Sequence, residues 1–266
     1  MDEELLALLE RSGYDRPGFA AEYDRHRPRP PAILLHALPL LAGTGRPRLV
    51  VDLGSGTGLS TRAWAELADE VVGVEPNDAM RSHAEQATES ANVRYLGRSS
   101  YDTGLPDACA DVVTAAQSLQ WMRPERVFPE VGRILRPGGV FCAYNYSVLQ
   151  TPVWEAAEVF DLVQARKREL RDELGLEHVA VGPPDIAWLE ESGVFRHVRE
   201  LLVHGVEQGD GARLLGFALS EGSMRTLLEA GASEEDVGLD RLRAVAASMP
   251  EPIPWWIGYR AWVGLK

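Results

Sequence analysis

Cysteine is nearly absent from this chain. The two that occur, Cys109 and Cys142, form no C-x-x-C pair and no Cys/His cluster at zinc spacing, so a disulfide framework and a structural zinc site are excluded and no metal is expected. Basic charge is also scarce: 27 Lys and Arg stand against 40 Asp and Glu, a net charge of −13. Such a chain has no electrostatic footprint for nucleic acid, and an anionic membrane surface repels it. No apolar run reaches membrane-spanning length, since the longest, Ala32 to Ala42, is interrupted by His36 and Pro39. The first residues, Met1 to Glu10, carry acids where a secretory signal carries Lys or Arg, and Leu5, Leu6, Leu8 and Leu9 read as one helical face. Internal repeats and low-complexity tracts are missing too. These absences point to a cytoplasmic protein with a small-molecule partner, and they leave the oligomeric state open.

With 45% apolar residues over 266, the chain can bury a sizeable core as one domain with a lid. Residues 1–45 read as a helical lid segment, broken by Arg27-Pro28-Arg29-Pro30-Pro31. Residues 46–150 alternate strand and helix, the pattern of a parallel sheet covered on both faces. Strands are expected at Arg48–Asp52, Glu70–Glu75, Asn92–Leu96, Asp111–Ala116 and Gly139–Tyr146, with helices at Thr57–Ala68, Asp78–Glu89 and Arg123–Leu135 between them. Residues 151–252 read as a helical, substrate-covering region that includes a strand at 198–206, and 253–266 as the strand that closes the sheet. The expected fold is α/β: a Rossmann-like, seven-stranded, mostly parallel sheet with helices on both faces and a helical lid.

Two segments carry the chemistry. Leu49-Val50-Val51-Asp52-Leu53 runs into Gly54-Ser55-Gly56-Thr57-Gly58, and a second apolar run, Val71-Val72-Gly73-Val74, ends in Glu75-Pro76. Glycines at alternate positions let backbone approach a ligand and accept positive φ, and an acid at the tip of the next strand can receive two ribose hydroxyls. This pairing binds a nucleoside. A dinucleotide fingerprint would need its third glycine at position 59, which is Leu59, and there is no G-K-[ST] ending for a phosphate loop. What remains is D-x-G-x-G-x-G, with Asp52 placed to balance a cationic amino-acid group.

At this point the chain resembles the class I S-adenosylmethionine-dependent methyltransferases, and the likeness continues in order along the sheet. It implies that Gly54, Ser55 and Gly56 contact the methionine part and ribose, that Glu75 holds the ribose diol, and that Pro76 and Met80 pack on adenine. The family's adenine-bordering segment is here Gly97-Arg98-Ser99-Ser100-Tyr101-Asp102-Thr103-Gly104-Leu105-Pro106-Asp107, with Ser99 and Ser100 as contacts and Ser100 standing where an acid is usual. After the fourth strand, Gln117-Ser118-Leu119-Gln120-Trp121 is similar to the Q-x-x-H-W segment of the trans-aconitate-methyltransferase-like branch, with Gln120 in place of the histidine. A glutamine orients by hydrogen bonds and takes no proton. Tyr23-Asp24-Arg25-His26-Arg27-Pro28 resembles the Y-x-x-x-R-P element of that branch, which implies that Tyr23 and Arg27 fold over the cofactor and meet its carboxylate.

The cofactor expected from this resemblance is S-adenosylmethionine, released as S-adenosylhomocysteine. Gln120, Tyr23 and Tyr144 are the candidate catalytic or substrate-orienting groups, and Gln117 a cofactor contact. His26 reads as an ordinary helix histidine. Of Tyr144 and Tyr146, one is expected on the far side of the sheet. Trp255, Trp256, Tyr259 and Trp262 read mainly as core, with some lining a pocket. Methyl transfer needs alignment, dehydration and an ionised nucleophile rather than a base. Departures at Ser100 and Gln120 leave open a biosynthetic enzyme of the same fold with non-methylating chemistry, such as cyclisation, and, further off, a binding module. Substrate-dependent formation of S-adenosylhomocysteine separates these.

Overall fold

The computed structural model describes residues 14, 16, 18–176, 181–249 and 252–266, with the backbone alone at 147–150. The helix expected over Met1 to Glu10 lies outside the described residues. Helices α1 (Phe19–His26) and α2 (Ala32–Leu41) flank the proline-rich break and lead into β1 (Leu49–Leu53). Then come α3 (Leu59–Ala63), β2 (Glu70–Val74), α4 (Asp78–Gln86), β3 (Val93–Leu96), β4 (Ala110–Ala116), a 3₁₀ turn (Leu119–Trp121), α5 (Pro124–Ile134) and β5 (Leu135–Gln150). The covering region contributes α6 (Trp154–Glu173), α7 (Ile186–Glu191), β6 (His197–Gly209), α8 (Gly211–Leu219), α9 (Gly222–Glu229), α10 (Glu234–Val237) and α11 (Leu239–Ser248), and β7 (Ile253–Leu265) follows.

The seven strands form one sheet in the order β3-β2-β1-β4-β5-β7-β6, parallel except for β7, which runs antiparallel to both its neighbours. Alternation along the strands sends Val50, Val71, Val112 and Val140 to one face, where they pack with Leu34, Leu38 and Trp64. Val51, Val72, Val113 and Phe141 go to the other, against Phe128, Val131, Ile134 and Leu189. A third cluster belongs to the cover itself: Phe160, Val163, Leu214, Phe217, Leu227 and Leu242 gather around Trp255 of β7.

The elements that depart furthest from the sequence expectation do so for local reasons. The helix expected over Thr57–Ala68 is only α3, because Gly58 enters it in the left-handed region and the chain tightens into turns from Trp64 onward. Strand β5 begins directly where α5 ends: Leu135 already pairs with Ala110, and residues 136–139 form an irregularity before Val140 pairs with Val112. Strand order reverses between β1 and β4, so a crevice opens at their carboxyl ends, where ligands sit in open sheets of this kind.

Candidate active site

The crevice holds roughly 1160 Å³ of empty space and opens to solvent. One wall is the loop after β1. Gly54 and Ser55 both donate backbone N–H to the Val74 carbonyl, 2.9 and 3.1 Å away, which ties the loop to the tip of β2. Gly54 has a φ of 64°, and a Cβ there would lie 2.7 Å from the Ser118 Cβ, so no other residue fits. Glu75, one residue past β2, accepts from Gly56 N–H and from Asn77 N–H, each at 2.8 Å. Burial pushes its carboxyl up to about 7, against the opposing pull of those two N–H groups and Arg81. Asn77 caps α4 by accepting from Met80 N–H at 3.0 Å, which sets Pro76 and Met80 along the same wall.

Of the residues expected at the site, Gly54, Ser55, Gly56, Glu75, Pro76, Met80, Ser100, Gln117, Tyr23, Arg27 and Tyr144 line this crevice. Three others turn away. Asp52 is fully buried inside β1, its oxygens accepting from Thr61 Oγ1 at 2.8 Å and Thr114 Oγ1 at 2.7 Å, and burial raises its carboxyl to about 6. It ties β1 to α3 and β4 instead of facing a ligand. The Ser99 hydroxyl accepts from Tyr101 N–H at 3.1 Å within a tight turn that directs Ser100 and Tyr101 into the crevice. Gln120 lies on the 3₁₀ turn that presents Trp121, while its own amide donates to the Gln117 carbonyl at 2.8 Å and accepts from Asn145 at 3.1 Å.

Gln117 itself is held at φ 55°, a sparsely occupied conformation for a residue with a side chain, and its backbone N–H donates to the Tyr144 carbonyl at 2.9 Å. Its buried Nε2 has no partner, nor do the buried hydroxyls of Ser55 and Thr57. All three line the crevice. Buried polar atoms in native proteins are almost always paired, so three orphans around one glycine loop fit a polar ligand spanning them.

The opposite wall comes from α1, the residues on either side of it and the distal strands. Tyr14, Tyr23, Arg27, Tyr146 and Tyr259 line it, with Trp121 beside Tyr14 at 5.8 Å between ring centroids. Tyr144 and Tyr146 face the same way, because residues two apart on a strand share a side; it is Asn145 that points oppositely. Burial, and then the charge of Asp52, drive the Tyr144 phenol well above its ordinary pKa, so it stays neutral, bonded to Ser60 Oγ at 2.8 Å. Tyr259 donates to the Arg29 carbonyl at 2.6 Å, while Trp255 and Trp262 are core and Trp256 is exposed. His26 pairs with Glu22 at 3.2 Å, outside the lining. A salt bridge of 2.6 Å between Asp24 and Arg62 fastens α1 to α3, and Arg62 also donates to the Thr57 carbonyl at 2.6 Å. Among the described residues the lining contains no histidine, lysine or cysteine, and no cluster of metal ligands occurs.

Tyr14 escapes the sequence reading; Tyr146 is expected at the end of the fifth strand with one of the two tyrosines on the far side of the sheet, and Tyr259 belongs to an aromatic cluster read mainly as core with some of it lining a pocket. Strand parity was the available signal for Tyr146. Nothing local marks Tyr14.

Comparison with known proteins identifies the part that carries the glycine loop. Residues 51–143 match the family described as a methyltransferase domain. Over this segment the chain is similar to S-adenosylmethionine-dependent methyltransferases. A probable S-adenosylmethionine-dependent methyltransferase of Saccharomyces cerevisiae is 30% identical over 132 residues, 48% of this chain and 45% of that protein. A trans-aconitate 2-methyltransferase of Methylobacterium radiotolerans is 35% identical over 143 residues, 51% of each chain. The chain thus spans about half the length of the curated relatives it matches. In structure, a candidate type II methyltransferase from Anaeromyxobacter dehalogenans superposes with a TM-score of 0.66 over 90% of this chain and 97% of its own, at 24% identity, which places the methyltransferase domain and its cover in one shared fold. The orphaned groups of Ser55, Thr57 and Gln117, which line the same crevice as Glu75, suit the hydroxyls and amino-acid end of S-adenosylmethionine. Among the described residues, no helix of the domain or its cover is long and apolar enough to cross a membrane.

Proposed function

We propose that the protein transfers a methyl group from S-adenosylmethionine to a small-molecule acceptor whose attacking atom is already ionised. The observation that carries this reading is the lining itself: unpaired polar atoms on the glycine loop, one carboxylate at the tip of β2 and, among the described residues, no side chain free to act as a base. Glu75 is the only carboxylate among the described lining residues, and both its oxygens are already engaged by backbone N–H groups.

In this reading Gly54, Ser55 and Gly56 present backbone and hydroxyl to the methionine and ribose, Glu75 receives the ribose hydroxyls, and Pro76, Met80 and Ser100 border the adenine. Tyr23 and Arg27 meet the amino-acid carboxylate. Bound S-adenosylmethionine supplies an activated methyl: the acceptor's lone pair forms the new bond as the sulfur–methyl bond breaks, and the sulfonium becomes a neutral thioether. The protein's part is to align the acceptor and exclude water, a contribution on the order of 7 to 11 kcal/mol at best. Tyr144, neutral and bonded to Ser60, shapes the crevice and moves no proton. Carboxylates, thiolates and readily ionised phenols are the acceptors that such a site accommodates. The acidic charge speaks against nucleic acid as that acceptor, and two unpaired cysteines suit a reducing cytoplasm.

Calorimetry with S-adenosylhomocysteine, followed by a panel of small carboxylates, thiols and phenols read out as acceptor-dependent S-adenosylhomocysteine formation, tests this. Micromolar binding and turnover of one acceptor are expected. Absence of binding removes the reading.

A further inference from the structure

Arg27 is 8% exposed and yet lines the crevice. Its faces are held by the rings of Tyr23 and Phe217, at 4.7 and 4.5 Å from the guanidinium carbon. Its Nε donates to Ser220 Oγ at 3.1 Å, one terminal nitrogen to the Ser220 carbonyl at 2.7 Å, and the other to the Tyr146 hydroxyl. Ser220 Oγ in turn donates to the Phe217 carbonyl at 2.9 Å, which aims its lone pair at Arg27. A guanidinium has five N–H donors, so two remain. No carboxylate lies within ion-pair range of Arg27 among the described residues, an expensive state for a buried cation unless a ligand brings the counter-charge.

The acid whose field reaches Arg27 is Glu221, next in sequence to the residue that clamps it. Glu221 is turned back toward α6. Lys167 pairs with one of its oxygens, and Gln164 Nε2 donates to both, at 3.3 and 3.2 Å, while Lys167 also donates to Gln164 Oε1 at 2.6 Å. Lys167 and Gln164 sit three residues apart on α6, so one helix face presents both to Glu221. Lys167 is itself buried. Its charge therefore balances a carboxylate whose field reaches Arg27 and which Gln164 alone would leave without a counter-charge.

We propose that Lys167 is a positioning residue of this site: by holding Glu221 it keeps Arg27 free to take the carboxylate of the amino-acid end of S-adenosylmethionine. The inference rests on the cofactor reading above and extends it to α6, which lies outside the matched domain.

The test is calorimetry on the full chain with two probes, S-adenosylhomocysteine and 5′-methylthioadenosine, which shares the adenosine thioether and lacks the carboxylate. Lys167→Met is expected to weaken S-adenosylhomocysteine about tenfold and to leave methylthioadenosine within twofold. Lys167→Met combined with Glu221→Gln should restore S-adenosylhomocysteine to within threefold of the unaltered protein, a rescue that a packing role does not produce. Equal loss for both probes, a double variant as weak as the single, or no loss at all overturns the inference. Should Lys167→Met not fold, Lys167→Gln carries the same test, because an amide bonds Glu221 without neutralising it. Failure of the unaltered protein to bind either probe removes the cofactor reading and this inference with it; binding of both with no effect of Lys167 removes the inference alone.

Discussion

The wall of the crevice built from Gly54 to Gly58 and Glu75 offers backbone N–H groups, hydroxyls and one carboxylate, while the wall built from Tyr14, Tyr23, Arg27, Tyr146 and Tyr259 offers rings and a guanidinium. The first is made of neighbours in sequence, tied down by two hydrogen bonds to Val74. The second is brought together from residues far apart, such as Arg27 and Ser220. A wall of short-range geometry tolerates little change in shape, whereas a wall of separate side chains tolerates loss of one member. Substitutions should therefore damage the first through backbone and folding, and the second through selective loss of one ligand group.

The largest effect is expected at Gly54. Its φ of 64° and the 2.7 Å approach to Ser118 mean that Gly54→Ala costs about 2 kcal/mol or more of stability and abolishes cofactor binding, to be checked by thermal unfolding and calorimetry. If the alanine variant binds normally, the contrast between the walls is wrong. Next is Glu75→Gln, expected to weaken S-adenosylhomocysteine on the order of thirtyfold to a hundredfold, the cost of a lost charged acceptor. Because the folded pKa of Glu75 is raised to about 7, protonation favours the folded state; that contribution is full below the ordinary carboxylate range and lost as pH rises through about 7. The ligand-free glutamine variant should therefore gain stability over the unaltered protein from pH 5 to pH 8, by at most about 3 kcal/mol. Affinity of the unaltered protein should fall as the pH drops below about 7. A flat stability difference across that range would contradict the assignment.

On the other wall, Arg27→Met should weaken S-adenosylhomocysteine roughly tenfold or somewhat more, with methylthioadenosine unchanged and the fold intact by circular dichroism, since one charge-assisted contact is removed. Gln117→Gly comes next: relief of the strained φ of 55° should stabilise the protein by up to about 1 kcal/mol while the lost amide weakens the cofactor a few-fold. Gain in both stability and affinity would place Gln117 outside the ligand's reach. The smallest change is expected for Gln120→Ala, under about threefold in turnover, because its amide serves the Gln117 carbonyl and Asn145. A large loss there would return Gln120 to the reacting centre.

The same contrast explains what was legible in the amino-acid sequence. Strand runs, the glycine spacing and Glu75 are local patterns, and they led directly to the parallel sheet and to the sheet-tip wall. Asp52 and Glu75 look alike as acids ending apolar runs, but β1 continues through Leu53 while β2 stops at Val74. Asp52 is therefore held in the pleat and must face one side of the sheet, where Thr61 and Thr114 meet it, whereas Glu75 is clear of the strand and turns into the crevice. Gln120 was placed by a motif in which it stands for a histidine, while the 3₁₀ turn presents Trp121 instead. Tyr14, Tyr259 and Ser220 depend on how the cover docks, and long-range docking leaves no local signature.

Strand β6 has a single neighbour in the sheet, β7, although β7 follows it by way of α8 to α11. During synthesis on a ribosome, β6 would leave the exit tunnel with no partner, and its exposed Leu202 and Val206 would wait unpaired until residues 253–265 arrived between it and β5. The nascent chain can therefore assemble β1 to β5 early, but Tyr259 and the docked cover come only with β7, so the ligand-binding wall is completed only after the strand that separates β5 from β6 has been made.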